Sequence, residues 1–245
     1  MISFLQKKIY FKDIIPDNFT DIHSHLLPGI DDGARSIEDT FFLIDQMKEI
    51  GISRVITTPH IIKNIWDNSK FSIELLEIET KNQLLKKDVH FPIKAAAEYM
   101  MDGEFVKLFQ NEPLLTLKEN YVLVEMSYIN PPIQLYDIIF ELQIAGYIPI
   151  LAHPERYVFF HENFETYKKL IKFGCLFQLN LLSTVGYYGE NVFKIAKKLL
   201  DLGMIEYVGT DIHHEKHINS FGNKILLKDI SPLKIAMKNN HFFSF

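Results

Sequence analysis

The chain reads as an α/β protein whose parallel strands close into a β/α barrel, and three observations predict this. From Thr20 onward, short runs rich in β-branched residues alternate with longer helical stretches, the pattern of repeated βα units. The ionisable residues that end these runs fall at the strand C-termini, the face on which barrels build active sites. The length of 245 residues matches the roughly 250 that such a barrel occupies as one domain.

In chain order, the expected strands are Thr20–Leu26, Ser53–Thr58, Ile93–Tyr99, Tyr121–Ser127, Ile148–His153, Leu176–Asn180 and Ile205–Asp211. Between them lie stretches with i, i+3, i+4 apolar spacing, such as Phe41, Ile44 and Met47, or Val192, Ile195, Ala196 and Leu199. Ser36, with Asp39 three residues on, resembles a capping box. Gly51, Gly146, Gly174 and Gly203 are placed to close helices before the next strand. With no linker or repeat in view, residues 1–245 are expected to form a single domain, with an N-terminal extension over 1–19 and a closing segment with one helix over 214–245.

Composition narrows the function classes. Hydrophobic residues at 47% and charged residues at 23% exclude a disordered chain and a membrane bundle. A net charge of -5 disfavours a nucleic-acid backbone as partner. Lys7, Lys8, Lys12, Asp13 and Asp17 interrupt any signal-peptide core, and no run is long enough for membrane insertion. The single cysteine, Cys175, rules out an intramolecular disulfide and fits a reducing cytoplasm.

The strand ends carry the chemistry. His23 and His25 lie two apart on an extended chain, so both side chains leave one side and can grip one ion. His60 follows the second strand, Glu98 closes the third, Glu125 the fourth, His153 the fifth, and Asp211 with His213 the seventh. In a parallel barrel these ends converge. Imidazoles with carboxylates suit Zn²⁺, Mn²⁺ or Fe²⁺, and the number of donors calls for more than one ion. Taken singly, each residue has a plainer explanation. An isolated H-x-H is a weak signal, Asp32 is a turn residue of the Gly29–Gly33 loop, Ser36 is a cap, and His90, His161, His214, His217 and His241 are surface or supporting groups. Independent βα units placing such residues at the same end reject coincidence for the set.

Four motifs in order, DIHSHLLPGIDDG (Asp21–Gly33), TTPH (Thr57–His60), AHPER (Ala152–Arg156) and GTDIH (Gly209–His213), resemble the polymerase-and-histidinol-phosphatase family. Within it, the chain is most similar over about residues 20–220 to the bacterial capsule-type protein-tyrosine phosphatases that oppose autophosphorylating tyrosine kinases. The resemblance implies a distorted, TIM-like (β/α)7 barrel and three divalent ions, Mn²⁺ favoured, with Fe, Zn, Co or Mg as alternatives. It implies the ligand set His23, His25, Asp32, His60, Glu98, Glu125, His153, Asp211 and His213, with Glu98 bridging. It also implies phosphotyrosine hydrolysis on a protein, a bacterial tyrosine kinase of polysaccharide export.

The resemblance extends to FQLNLLSTVGYYG (Phe177–Gly189), expected as a substrate-side loop in which Tyr187 and Tyr188 either pack on a phenolic leaving group or form a structural aromatic pair. Relatives carry arginine in a His-His-x-Arg-His context where this chain has Lys216, which can neutralise phosphate as a point charge but lacks the planar fork. A phosphocysteine route needs an arginine six residues after the thiolate, and Cys175 has Leu181 there. Attack on phosphorus is therefore expected from a water made acidic by metal. Arg156 would bind non-bridging oxygens, or else pair with Glu155 or a loop acid, and His60 or His213 would assist the leaving group. The rivals are a small-molecule phosphatase, for example of histidinol phosphate, and a non-catalytic metal protein that docks on a kinase.

Overall fold

Pro59 has no N–H to give to a ladder, and the strand pairing breaks there. In the computed structural model, which describes residues 8–245, β1 (Phe19–Asp21), β2 (Ile52–Thr57) and β4 (Ile93–Ala95) form one parallel sheet in the order β1-β2-β4. Beyond Pro59, β3 (His60–Ile61) and β5 (Glu98–Met100) begin a second parallel sheet, which continues through β6 (Tyr121–Glu125), β7 (Ile148–Ala152), β8 (Leu176–Asn180) and β9 (Tyr207–Gly209). The expected strand Ile93–Tyr99 is thus shared between both sheets. Ala96 and Glu98 still donate their N–H groups to Thr57 and Pro59, so the chain runs on without a gap in hydrogen bonding.

The sheet edges meet between β9 and the residues after β1. Ser24 and Ile212 form a parallel bridge, while Asp211 and His25 donate their N–H groups to His23 and Ile212. Both outer strands are shorter than expected, because Asp211 turns to φ 52 two residues past β9 and the chain after Asp21 keeps a bridge in place of a ladder. At the opposite end the closing segment supplies the missing rung. The Asn240 amide donates to Thr20 and Val208 carbonyls and accepts from the Val208 N–H, so one side chain joins β1 to β9.

Helices α1 (Ile37–Glu49), α2 (Lys70–Lys86), α3 (Gly103–Asn111), α4 (Leu135–Ile144), α5 (Glu165–Lys172) and α6 (Glu190–Asp201) occupy the connections, followed by α7 (Glu215–Ser220) and α8 (Ser231–Asn239). Ser36 accepts the Asp39 N–H as the α1 cap, while the Asp39 carboxylate turns back to the Arg35 N–H. The four expected helix-closing glycines all take positive φ.

Strand residues alternate between two cores. Outward-facing side chains such as Val55, Val124, Leu151 and Val208 pack against the helices, while Ile22, Ile56, Ala96, Leu123, Ile150 and Tyr207 fill the ring itself over Phe243. That inner plug forms the floor under the strand C-termini. Of the expected N-terminal extension, residues 1–7 lie outside the described residues, and Phe11 is buried in the outer core. Among the described residues no helix is long and apolar enough to cross a membrane.

Candidate metal centre

Above the floor, the strand ends bring nine side chains together. Their donor atoms fall into four overlapping groups, each within 4.8 Å: His25, Asp32, His60 and His213; His23, Glu98 and His153; His23, His25 and Asp211; His60, Glu98 and Glu125. These groups use every residue of the expected ligand set and, among the described residues, no other. Glu98 sits at their junction, with one oxygen 3.1 Å from His23 Nε2 and 3.2 Å from His60 Nδ1, and the other 3.2 Å from His153 Nε2.

Local backbone aims these groups. His153 and Asp211 adopt the left-handed region, at φ 35 and 52, one residue past the end of β7 and two past the end of β9. Such conformations are costly and persist where the surroundings enforce them, commonly at functional sites. Gly209 allows the first strand to approach, since a Cβ there would lie 2.6 Å from His23 Cβ. Gly33 does the same for His25, whose carbonyl oxygen would be 2.2 Å from an added Cβ.

The cluster is buried and strongly charged. Burial alone would lift the Glu98 and Asp211 carboxyls, but His23 with His60, and His23 with His213, hold them well below the ordinary carboxylate range. Burial opposes a charge on His23 too, yet Glu98 and Asp211 push its pKa up to about 10. Glu125 is raised by burial and by neighbouring Glu98. The carboxylates therefore demand positive charge in their midst, and the deprotonated donors that bind a metal are the ones such a field supports once a cation takes the protons' place. Several buried donor atoms that face the cluster, His25 Nε2, His60 Nδ1, Glu98 Oε1 and Glu125 Oε1, make no directed hydrogen bond. Buried polar atoms left in this way are costly unless something binds them, and this donor set fits divalent metal ions.

A cleft of about 180 Å³ opens over the cluster, walled by Glu98, Glu125, Asp211 and the histidines at 60, 153 and 213, with Tyr128 and Arg156 at its edge. His23 and His25 lie beneath it, fully buried. Asp32 reaches in from the rim, 3.4 Å from His60 Nε2 and 3.5 Å from His213 Nε2. Arg156 pairs through Nη1 with Asp211 Oδ2 at 2.7 Å, rather than with Glu155. Lys216 faces a neighbouring cavity of about 550 Å³ with Arg35, Asp39 and Phe42, which shares Asp32, His213 and His214 with the cleft. The segment after β8 forms a buried 3-10 turn, Leu181–Val185, and Tyr187 then packs edge-on against Tyr188 and His217.

Some of the machinery escaped the sequence reading. The Asp31 carboxylate lies 2.7 Å from His25 Nδ1, and Gln178 Oε1 lies 2.7 Å from His23 Nδ1. Glu155, raised to about 7 by burial, accepts the Asn180 N–H and the Ser183 hydroxyl and so anchors the turn that carries Arg156. The one available signal was in β8, where Gln178 and Asn180, two apart on a buried strand, must point into the ring together. Cys175 is buried in the outer core and its thiol is pushed up to about 12 by burial, which removes it from nucleophilic chemistry.

Residues 19–220 match the family model for capsular polysaccharide synthesis, CpsB/CapC. The chain belongs to the CpsB/CapC family. Its CpsB/CapC relatives include the tyrosine-protein phosphatase YwqE of Bacillus subtilis, 28% identical over 200 residues that cover 81% of this chain and 79% of the relative. The tyrosine-protein phosphatase CpsB of Streptococcus pneumoniae is 26% identical over 203 residues, covering 79% of this chain and 82% of that one. A crystal structure described as one of YwqE from Bacillus subtilis and CpsB from Streptococcus pneumoniae, unique metal-dependent tyrosine phosphatases, superimposes with a TM-score of 0.76. It is 28% identical and covers 82% of this chain and 84% of its own. A histidinol phosphate phosphatase of Lactococcus lactis, at a TM-score of 0.51 and 13% identity over 94% of this chain and 95% of its own, shares the fold alone.

Proposed function

We propose that this CpsB/CapC chain is a cytoplasmic, metal-dependent protein-tyrosine phosphatase acting on an autophosphorylating bacterial tyrosine kinase of capsular or exopolysaccharide synthesis. The observation that carries the reading is the joint presence, in one cleft, of buried donor groups for several ions and of a guanidinium at the rim. Family membership and the named activity of the relatives support it.

Three divalent ions, Mn²⁺ favoured, would be held by His23, His25, Asp32, His60, Glu98, Glu125, His153, Asp211 and His213, with Glu98 shared between groups. When bound, such ions supply Lewis acidity to phosphoryl oxygens and to an attacking water. The protein's own groups do the rest. Arg156 has one nitrogen committed to Asp211 and presents the remaining N–H groups to non-bridging oxygens, in the planar geometry that suits phosphate. His60 and His213 stand on the cleft wall, and an imidazole there can hold or deliver a proton at the leaving phenolic oxygen only through a ring nitrogen that holds no metal. A phenoxide leaves more readily than an alkoxide, so this assistance is smaller than a serine phosphatase would need. Burial of the cluster over the apolar floor strengthens each of these contacts.

Turnover of a phosphotyrosyl peptide by the purified chain, before and after chelation and on return of Mn²⁺, tests the reading. Loss and recovery of activity are expected, with poor turnover of histidinol phosphate. Preference for histidinol phosphate would reassign the substrate, and activity that persists in metal-free protein would overturn the mechanism.

A further inference from the structure

Tyr188 sits where a substrate contact was expected, but its ring face is already taken. The Arg156 guanidinium carbon lies 4.2 Å from the Tyr188 ring centre and 4.7 Å from the Tyr128 ring centre. We propose that Tyr128 and Tyr188 are positioning residues that clamp the Arg156 guanidinium and fix the orientation in which it meets a phosphoryl group. The inference rests on the phosphatase reading above.

The clamp is tied into the cluster by a closed circuit. Asn180 Nδ2 donates to the Tyr188 hydroxyl oxygen and to Asp211 Oδ2, each at 2.9 Å. Asp211 Oδ2 in turn accepts Arg156 Nη1, and Arg156 lies against the Tyr188 ring. Asp211 therefore has divided duties, with Oδ1 turned to His23 at 3.2 Å and Oδ2 to the clamp. On the other side the Tyr128 hydroxyl lies 3.3 Å from His153 Nε2, and its ring stacks on the His153 ring with centres 5.7 Å apart. Each tyrosine thus touches the arginine with its face and reaches the donor cluster with its hydroxyl, directly or through Asn180.

A guanidinium on a flexible stem samples many orientations, and only a few present its planar fork to phosphate. One hydrogen bond to Asp211 leaves rotation about that contact free. Two aromatic faces remove it, and they attract the cation through the ring quadrupole. Arginine also suits this place better than lysine, since its planar cation can stack on an aromatic face while its fork meets phosphate.

The test compares Tyr188→Phe, Tyr188→Leu, Tyr128→Phe and Tyr128→Leu in the metal-loaded protein, with Arg156→Ala as reference. The readouts are KM and kcat for p-nitrophenyl phosphate, inhibition by inorganic phosphate, and metal content. Each Leu variant should weaken phosphate inhibition and raise KM about fivefold or more, the size of one cation–π contact, with metal content unchanged. The Phe variants keep the ring and should restore phosphate affinity to within about twofold, consistent with clamping by the ring face. Wild-type phosphate inhibition in both Leu variants, or Phe variants as defective as Leu, would overturn the clamp, as would losses that track metal content. An Arg156→Ala protein with unaltered phosphate inhibition would instead remove the arginine from the phosphatase reading, so the two failures are separable.

Discussion

The Asp31 carboxylate sits 2.7 Å from His25 Nδ1, fully buried with it, and uses the same oxygen to accept the His60 N–H. It thereby fixes which His25 nitrogen faces the cluster, leaving Nε2 turned toward Glu98 and Asp211. Asp31 is adjacent to Asp32 in sequence but has the opposite task, supporting a histidine from behind rather than offering an oxygen at the rim.

Replacing Asp31 by alanine should therefore lower metal affinity by about ten- to a hundredfold, the usual cost of losing such a support. Competition titration with a chelating dye measures it. Wild-type affinity in a folded variant would show that His25 is held by packing alone.

Arg156→Ala should reduce kcat/KM for a phosphotyrosyl peptide by roughly a hundredfold, as expected for a preorganised donor to phosphoryl charge. Metal content should stay intact, because Asp211 keeps its Oδ1 in the histidine cluster. Elemental analysis alongside kinetics decides between this and a structural role, in which the metals would be lost too.

At Gly209 an added Cβ would lie 2.6 Å from His23 Cβ and 2.7 Å from Gln178 Nε2, and something must shift. Gly209→Ala is expected to lose about 1–3 kcal/mol of stability, the usual cost of overpacking a core, and to weaken metal binding. Thermal melting of the metal-free and metal-loaded variant would read both effects, and an unchanged pair of melting temperatures would refute the expectation.

Cys175 should be silent toward thiol reagents in the native protein, and Cys175→Ala should keep full activity. Because burial raises its pKa to about 12, folding favours the neutral thiol. Its contribution to stability is present below the unfolded thiol pKa of roughly 8.5 and is lost as pH climbs from there toward the folded value. Urea melts between pH 8 and pH 10.5 should accordingly show a steeper decline for wild type than for Cys175→Ala.

Much of this was legible along the chain because parallel βα repetition converts sequence position into spatial position. Once strands are recognised by their β-branched runs, their C-terminal residues must share a face, and His23, His60, Glu98, Glu125, His153 and Asp211 follow from that alone. Apolar periodicity likewise marked the helices around Phe41–Met47 and Val192–Leu199, and residue type and position marked the Ser36 cap and the closing glycines. What the sequence could not determine is which side chain turns to which neighbour. Asp31 and Asp32 are chemically identical and adjacent, and only the close approach of the Gly33 loop to His25 separates their roles. Tyr188 was open to a substrate contact until the fold brought Arg156, 32 residues earlier in the chain, against its face. The rung supplied by Asn240 is equally long-range, since hydrogen-bond partners between distant strands are chosen by packing and register rather than by local preference.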